Sequence, residues 1–120
     1  ISYNDYTIKG GMAGLRKLVE LNKDMTAVFV SNYELTMGVV IEANELNLSI
    51  PDRISIVGFD NVEFARACVP KLCIVSQPTK EIARKLAEVM LSRLEQEEAE
   101  ENLIVKLPTE YVEGKSIKRR

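Results

Sequence analysis

Three short apolar runs alternate along this chain with segments of helical periodicity, and this alternation constrains the fold more than any other feature. The runs occupy residues 27–30, 54–57 and 72–75, and they are rich in residues that favour strands buried on both faces. Apolar residues recur every three or four positions over 7–22 and 34–47, which predicts helices there. Strands joined by helices in this order lie parallel. The sequence therefore predicts an α/β fold with a parallel sheet flanked by helices in three layers.

The sequence beyond Pro78 predicts one long helix followed by extended segments. Thr79 suits the N-cap of this helix, and its apolar face carries Ile82, Leu86 and Val89. The acidic run that follows, 95–101, is expected to be a solvated end of this helix. After it, two extended segments are predicted at 103–107 and 109–112.

Composition excludes several classes of function. The chain has 120 residues, which is one small domain or a piece of a larger one, and Ile1 is not a start methionine, so we expect upstream sequence to be missing. It has no histidine, which excludes a serine–histidine–acid triad and removes the commonest metal ligand. Cys68 and Cys73 are expected to be buried free thiols in a reducing cytosol. We therefore predict no catalytic residue, no metal site and no cofactor.

Charge is distributed unevenly along the chain. The net charge is −2, but residues 1–114 alone carry −6, because the last six residues hold Lys115, Lys118, Arg119 and Arg120. This balance argues against a surface for nucleic acid in the body of the chain, and it predicts that the basic tail is solvated. No run of about 18 apolar residues is present, which predicts that the chain does not span a membrane.

Polar side chains follow the ends of the predicted strands. Asn32, Asp60 and Gln77 each come shortly after a strand, and Tyr6 does so as well if residues 1–3 end another strand. Ligands of open parallel sheets bind at the carboxyl ends of the strands. Two amides, a carboxylate and an aromatic ring at one edge would suit a polyhydroxylated ligand, with the ring against its apolar face.

Each of these residues also has a structural interpretation. Asn32 could cap the helix at 34–47, and Asp60 could cap a short helix at 62–67. Tyr6 could be an ordinary rim aromatic, and Gln77 could only bridge backbone groups. A further class, a hydrolase with Asp5 and Asp60 as a carboxylate pair, is left open by the residues alone.

Two other patterns predict packing rather than chemistry. Gly10, Gly11 and Gly14 fall inside the first predicted helix without the lysine and hydroxyl of a phosphate-binding loop, so they are expected to allow close helix contact. The helix at 34–47 carries a second apolar stripe that would suit a partner subunit. Its members are Met37, Val40 and Ile41.

Four segments resemble the lactose/ribose-repressor family of bacterial transcription regulators. They are AVFVSNYELTMG at 27–38, LSIPDRISIVGFDN at 48–61, VPKL at 69–72 followed by VSQP at 75–78, and KLPTEYV at 106–112, in the family's order and spacing. The chain departs from the family's pattern at Tyr33, where aspartate is common, and at Thr79.

The resemblance implies a domain of two lobes, similar to the sugar-binding periplasmic proteins. Residues 1–78 would then be the C-terminal lobe, 79–107 would pack on an N-terminal lobe outside this sequence, and 108–120 would be a C-terminal strand and basic tail. An apolar face on helix 79–94 without that lobe is expected to promote self-association.

The resemblance also implies a function. The chain would be the effector-binding and dimerisation part of a cytoplasmic repressor that is not an enzyme, with a sugar as the effector. Asn32 and Asp60 match the family's effector-contacting positions, Tyr6 matches its ring-covering aromatic, and Gln77 lies where the chain crosses between lobes. Operator DNA would be bound only by a headpiece outside this sequence. The alternative is a sugar-binding protein of a transport system with the same fold.

Overall fold

A computed structural model of the chain describes residues 1–60, 62–95 and 103–120. These residues form two compact units, one of Ile1–Ser76 with Tyr111–Arg120 and one of Gln77–Glu110. The elements in chain order are α1 (Ile8–Leu21), β1 (Ala27–Phe29), α2 (Tyr33–Glu45), β2 (Ser55–Phe59), α3 (Val62–Ala67), β3 (Cys73–Ser76), α4 (Thr79–Glu95) and β4 (Glu110–Val112).

The strands form one sheet in the order β1-β2-β3-β4. Strand β2 pairs in parallel with β1 and with β3, with Val28 opposite Ile56 and Gly58 opposite Ile74. The α/β class and the parallel sheet are therefore confirmed. Residues 1–3 form no strand, so the conditional strand before Tyr6 is wrong. A strand requires backbone pairing with a neighbour, and residues 1–3 are in no ladder of the described sheet.

The core lies against one face of the sheet. Ile56 is buried with Leu15 of α1 and with Val39 and Ala43 of α2. Ile74 is buried with Ala65 of α3 in a second cluster. Residues two apart in a strand face the same way, so Ile56 and Gly58 lie on one face of the sheet. Ile74 is opposite Gly58 in β3 and therefore lies on that face as well.

Strand β1 differs from the prediction of a strand buried on both faces. The side chain of Phe29 is 59% exposed, because β1 is an edge strand and this residue lies on the face opposite the core. Its neighbour Val28 packs against the first cluster. An apolar run thus predicted the strand correctly but not its burial.

Close packing of α1 and α2 explains Gly11 of α1, whereas Gly10 and Gly14 lie against the chain before the helix, at Asp5 and Asn4. An added Cβ at Gly11 would meet the backbone of Leu35, and one at Gly38 would overlap the carbonyl oxygen of Ile8. The prediction of close helix contact is confirmed for Gly11, where no side chain fits between the helices. The second stripe of α2 is partly used inside the chain, because Val40 packs against the second cluster. Ile41 of the same stripe is 38% exposed, so a partner-subunit contact for this stripe stays a prediction.

The basic side chains of the C-terminal segment are exposed, as predicted for a solvated tail, but its backbone and Ser116 are bound to the sheet. Ser116 is fully buried, its Oγ donates to the Ile56 carbonyl at 2.5 Å, and it accepts the Cys73 N–H at 2.8 Å. Lys118 forms an ion pair with Asp52 at 2.7 Å. Sequence patterns missed this because the contacts use backbone groups and one small hydroxyl, which leave no periodic signal.

Both cysteines are free thiols, as predicted, and they differ in burial. Cys73 is buried, whereas Cys68 is half-buried. The Cys73 Sγ accepts the Gly114 N–H at 3.3 Å. Burial raises the pKa of the Cys73 thiol, but hydrogen bonds from Tyr111 and Ser116 outweigh it and lower the pKa overall.

The second unit consists of α4 and the chain up to Glu110. A groove of about 350 Å³ in this unit is bounded by α4 and by the extended segment 103–109. None of the residues of α4 is buried, and Leu86 and Met90 are mostly exposed. The first extended piece, 103–107, has no strand pairing, and residues 96–101 of the predicted acidic run lie outside the described residues.

Candidate functional site

Asn32 and Asp60 occupy equivalent positions beyond two neighbouring strands. Phe29 is paired with Val57 in the parallel register of β1 and β2, and the Val30 N–H continues this ladder by donating to the Val57 carbonyl at 2.9 Å. Asn32 follows Phe29 by three residues, and Asp60 follows Val57 by three. Both therefore lie at the carboxyl edge of the sheet, where ligands of parallel sheets bind.

Asn32 is the N-cap of α2. Its Oδ1 accepts the Leu35 N–H at 2.9 Å, and its backbone conformation is extended. The capping interpretation is thus confirmed, and it changes what the side chain can offer to a ligand. Because Oδ1 is engaged in the cap, Nδ2 remains as the group that can donate to a ligand oxygen.

Asp60 has an unusual backbone conformation. Its φ is +57°, in the left-handed region, and its N–H donates to the Val75 carbonyl of β3 at 2.8 Å. Among the described residues, Asn47 is the only other non-glycine residue with a positive φ. It follows the C-terminus of α2, where the left-handed conformation is common. Asp60 instead follows a strand. Unusual conformations at such places are typical of positions that present a side chain to a ligand.

Tyr6 lies next to the N-cap of α1 and is 69% exposed. The Thr7 side chain caps α1 by accepting the Gly10 N–H at 3.0 Å, which fixes the chain directly after Tyr6. The first turns of α1 pack against the first turns of α2, through Gly11 and Leu35. The amino-terminal ends of both helices are therefore together.

The third strand adds a residue that the sequence prediction of the site left out. Phe59 is opposite Val75 in the register of β2 and β3, so Ser76 is level with Asp60. The signal was present in the sequence, because Ser76 directly follows the third apolar run. Gln77 begins the second unit and lines its groove together with residues of α4.

The paired amide and carboxylate suit a ligand with neighbouring hydroxyl groups. One hydroxyl can donate to an Asp60 oxygen while the next accepts from Asn32 Nδ2. Hydrogen bonds to a carboxylate are stronger than neutral ones, which would make Asp60 the main determinant of affinity. Among the described residues, no group of three or more cysteine, aspartate or glutamate side chains is arranged to hold a metal ion.

Comparison with known proteins identifies the family. Residues 3–117 match the model of the periplasmic binding protein-like domain. The repressor CytR of Escherichia coli K12 is 33% identical over 95 residues, which are 79% of this chain and 28% of CytR. Catabolite control protein A of Priestia megaterium is 34% identical over 104 residues, 87% of this chain and 31% of that protein. The chain thus spans less than a third of the length of these relatives.

Solved structures agree in fold. The transcriptional regulator CelR in complex with cellobiose has a TM-score of 0.87 at 26% identity, over 96% of this chain and 35% of that chain. A LacI-family regulator of Enterococcus faecalis with bound ribose has a TM-score of 0.82 at 26% identity, over 95% of this chain and 42% of that chain. These relatives are transcription regulators, which favours the repressor prediction over the transport alternative. The chain belongs to the periplasmic binding protein-like domain family, and its relatives there are LacI-type transcriptional regulators.

Proposed function

We propose that this chain is the effector-binding part of a ligand-controlled transcriptional repressor, and that its effector is a sugar. The observation that carries the proposal is that β1 and β2 are parallel neighbours and that Asn32 and Asp60 follow their carboxyl ends. The related regulators solved with cellobiose and with ribose support a sugar as the ligand class.

Each side chain has a separate role in the proposed site. Asp60 accepts hydrogen bonds from sugar hydroxyls, and Asn32 donates through Nδ2 to an adjacent hydroxyl oxygen. The exposed ring of Tyr6 covers the C–H face of the sugar, which is the apolar side of such a ligand. Gln77, which begins the second unit, stays a candidate for a further amide contact because of its place in the sequence.

The proposed mechanism is a shift between two conformations of a longer regulator. In it, residues 79–107 pack on a second lobe outside this sequence, which would cover the exposed apolar side chains of α4. An effector that contacts both lobes favours the closed conformation, and DNA-binding headpieces outside this sequence respond. Coupling of about 1–3 kcal/mol would be enough for a useful switch.

Three further parts of the proposal concern the setting of the regulator. It acts in the cytoplasm, it forms a homodimer, and it catalyses no reaction. No helix of the described residues is long and apolar enough to cross a bilayer. Sedimentation equilibrium of the longer regulator tests the homodimer, and a chromogenic glycoside tests for turnover.

Titration of the ¹⁵N-labelled chain with ribose and with cellobiose tests the site itself. Nuclear magnetic resonance detects even the weak binding expected of a site that lacks a second lobe. We expect the largest shift changes at the amides of Tyr6, Asn32 and Asp60. The Asp60→Ala variant should lose these changes while the rest of its spectrum is retained.

The matched control is Asp52→Ala, which removes an exposed carboxylate at the other edge of the sheet. It should leave the sugar-induced changes intact. Changes of equal size in the wild type and in Asp60→Ala would contradict the site. Changes scattered over the whole chain would do so as well.

A further inference from the structure

Seven basic residues lie together at the amino edge of the sheet, opposite the candidate effector site. Lys23, Arg53 and Lys71 precede β1, β2 and β3, and the C-terminal segment runs along the same edge. We call this surface the amino-edge ridge, and its basic members are Lys23, Arg53, Lys71, Lys115, Lys118, Arg119 and Arg120.

Hydrogen bonds join the ridge from one end to the other. The Lys115 N–H donates to the Lys71 carbonyl at 2.7 Å, next to the buried Ser116. Arg120 donates to the backbone carbonyls of Asp52 and Arg53, both at 3.0 Å. Arg53 in turn donates to the Lys23 carbonyl at 2.6 Å. The backbone that carries the basic side chains is therefore ordered, which reduces the entropy lost on binding.

Charge is strongly polarised between this edge and the rest of the chain. The ridge includes two carboxylates, Asp24 and Asp52, so its net charge is +5, whereas the other residues of the first unit carry −4. Within the described part of the chain, the side chains of Lys71, Lys115 and Arg119 take part in no hydrogen bond or ion pair. These three cations can therefore meet an incoming anion directly.

We propose that the amino-edge ridge binds an acidic segment of a partner protein. Complementary charge steers such a partner to this edge and away from the negative remainder of the surface. The effector site lies at the other edge, so both ligands can be bound at once. The inference goes beyond the proposed function and does not depend on it.

The extent of the ridge favours a short acidic segment over nucleic acid. Neighbouring strands lie about 4.8 Å apart, so β1 and β3 are separated by about 10 Å. Duplex DNA carries one charge for about every 1.7 Å and needs a long cationic surface to be held. A duplex that passes beyond the ridge would meet the rest of the first unit, whose net charge is −4. A few carboxylates on a peptide match the ridge without that repulsion.

Fluorescence anisotropy with a labelled peptide of eight glutamates tests the proposal on the full chain. We expect binding at low ionic strength that weakens steeply as salt is added. The double variant Lys115→Glu with Arg119→Glu should weaken binding by about tenfold or more, since it reverses two exposed charges that face the peptide. A labelled DNA duplex of random sequence should bind more weakly than the peptide.

The matched control is the double variant Lys9→Glu with Lys17→Glu, which makes the same change in net charge on α1. Its affinity for the peptide should remain within about twofold of the wild type. Circular dichroism establishes that each variant is folded. Absence of peptide binding, equal loss in the control, or tighter binding of the duplex would each overturn the proposal.

Discussion

Glu42 of α2 accepts a 2.6 Å hydrogen bond from Nε of Arg16 on α1, and this pair joins a buried carboxylate to a partly exposed arginine. Glu42 is 1% exposed, whereas the Arg16 side chain is 56% exposed. The hydrogen bond and charge of Glu42 raise the pKa of Arg16. A buried carboxylate requires such a partner, because desolvation without one is costly. The pair therefore fixes how the two helices lie against each other.

Replacement of Arg16 should destabilise the chain only while Glu42 is present. We expect Arg16→Met to lower the free energy of unfolding by about 1–3 kcal/mol, the cost of a buried polar group without its partner. In a Glu42→Leu background, which has no acceptor for the guanidinium, the same change should cost less than about 0.5 kcal/mol. Urea unfolding followed by circular dichroism measures both. Equal costs in the two backgrounds would show that Arg16 acts through packing alone.

A methyl group at the crossing of α1 and α2 should separate the helices. In Gly38→Ala the new Cβ would overlap the backbone carbonyl of Ile8, so the cost should be about 2 kcal/mol or more. Gly14→Ala is the matched control, because its Cβ would meet only the side-chain amide of Asn4, which can move away. The control should be close to neutral or stabilising, since alanine favours helix by about 1 kcal/mol over glycine. Urea unfolding of both variants decides between these outcomes.

The sheet and its helices could be predicted because their patterns are local. The helix predicted over 7–22 is Ile8–Leu21, and the strand predicted over 54–57 is Ser55–Phe59. The run 27–30 correctly predicted β1, but it could not reveal that β1 is an edge strand. Burial depends on which elements cover a strand, and periodicity within the strand does not contain that information.

The candidate site could be predicted only in part. A rule about strand ends found Asn32 and Asp60, because a parallel sheet brings such positions to one edge. The parallel pairing of β1 and β2 that brings them to that edge joins distant parts of the chain, and the left-handed conformation of Asp60 has no sequence signal of its own. The ordered tail was missed for a related reason. Ser116 is an isolated serine in a basic segment, and its burial results from contacts with two strands that lie far away in the sequence.

Loss of one hydroxyl should loosen the C-terminal segment. Ser116→Ala removes the hydroxyl that hydrogen-bonds both the Ile56 carbonyl and the Cys73 N–H. These two buried backbone groups then lose that hydrogen-bond partner. We expect the free energy of unfolding to fall by about 1–3 kcal/mol. Ser49→Ala, at an exposed position, should change it by less than about 0.5 kcal/mol. Similar values for the two variants would indicate that the tail contributes little to the stability of the sheet.

Tyr111 should lose its proton at a higher pH than an ordinary tyrosine. Its hydrogen bond to Cys73, with a smaller contribution from burial, raises its pKa from 10.0 to about 12. Because the pKa is raised on folding, the stabilisation is complete below pH 10 and is lost as the pH rises towards about 12. The near-ultraviolet absorbance of the wild type and of Tyr111→Phe is titrated with pH, and the difference between the two curves gives the ionisation of Tyr111. Cys73→Ala should move the transition to lower pH, and an unmoved transition would contradict the hydrogen bond as its cause.

The two roles of Asn32 can be separated by choice of substitution. Serine is as good an N-cap as asparagine but has no amide, so Asn32→Ser should retain the free energy of unfolding to within about 0.5 kcal/mol. Asn32→Ala loses the cap to the Leu35 N–H as well, and it should cost about 1 kcal/mol. If Nδ2 donates to a sugar, both variants should lose the ribose-induced shift changes at Asp60 in nuclear magnetic resonance. Retention of those changes in the serine variant would restrict Asn32 to the cap, because only the amide donor would then be missing.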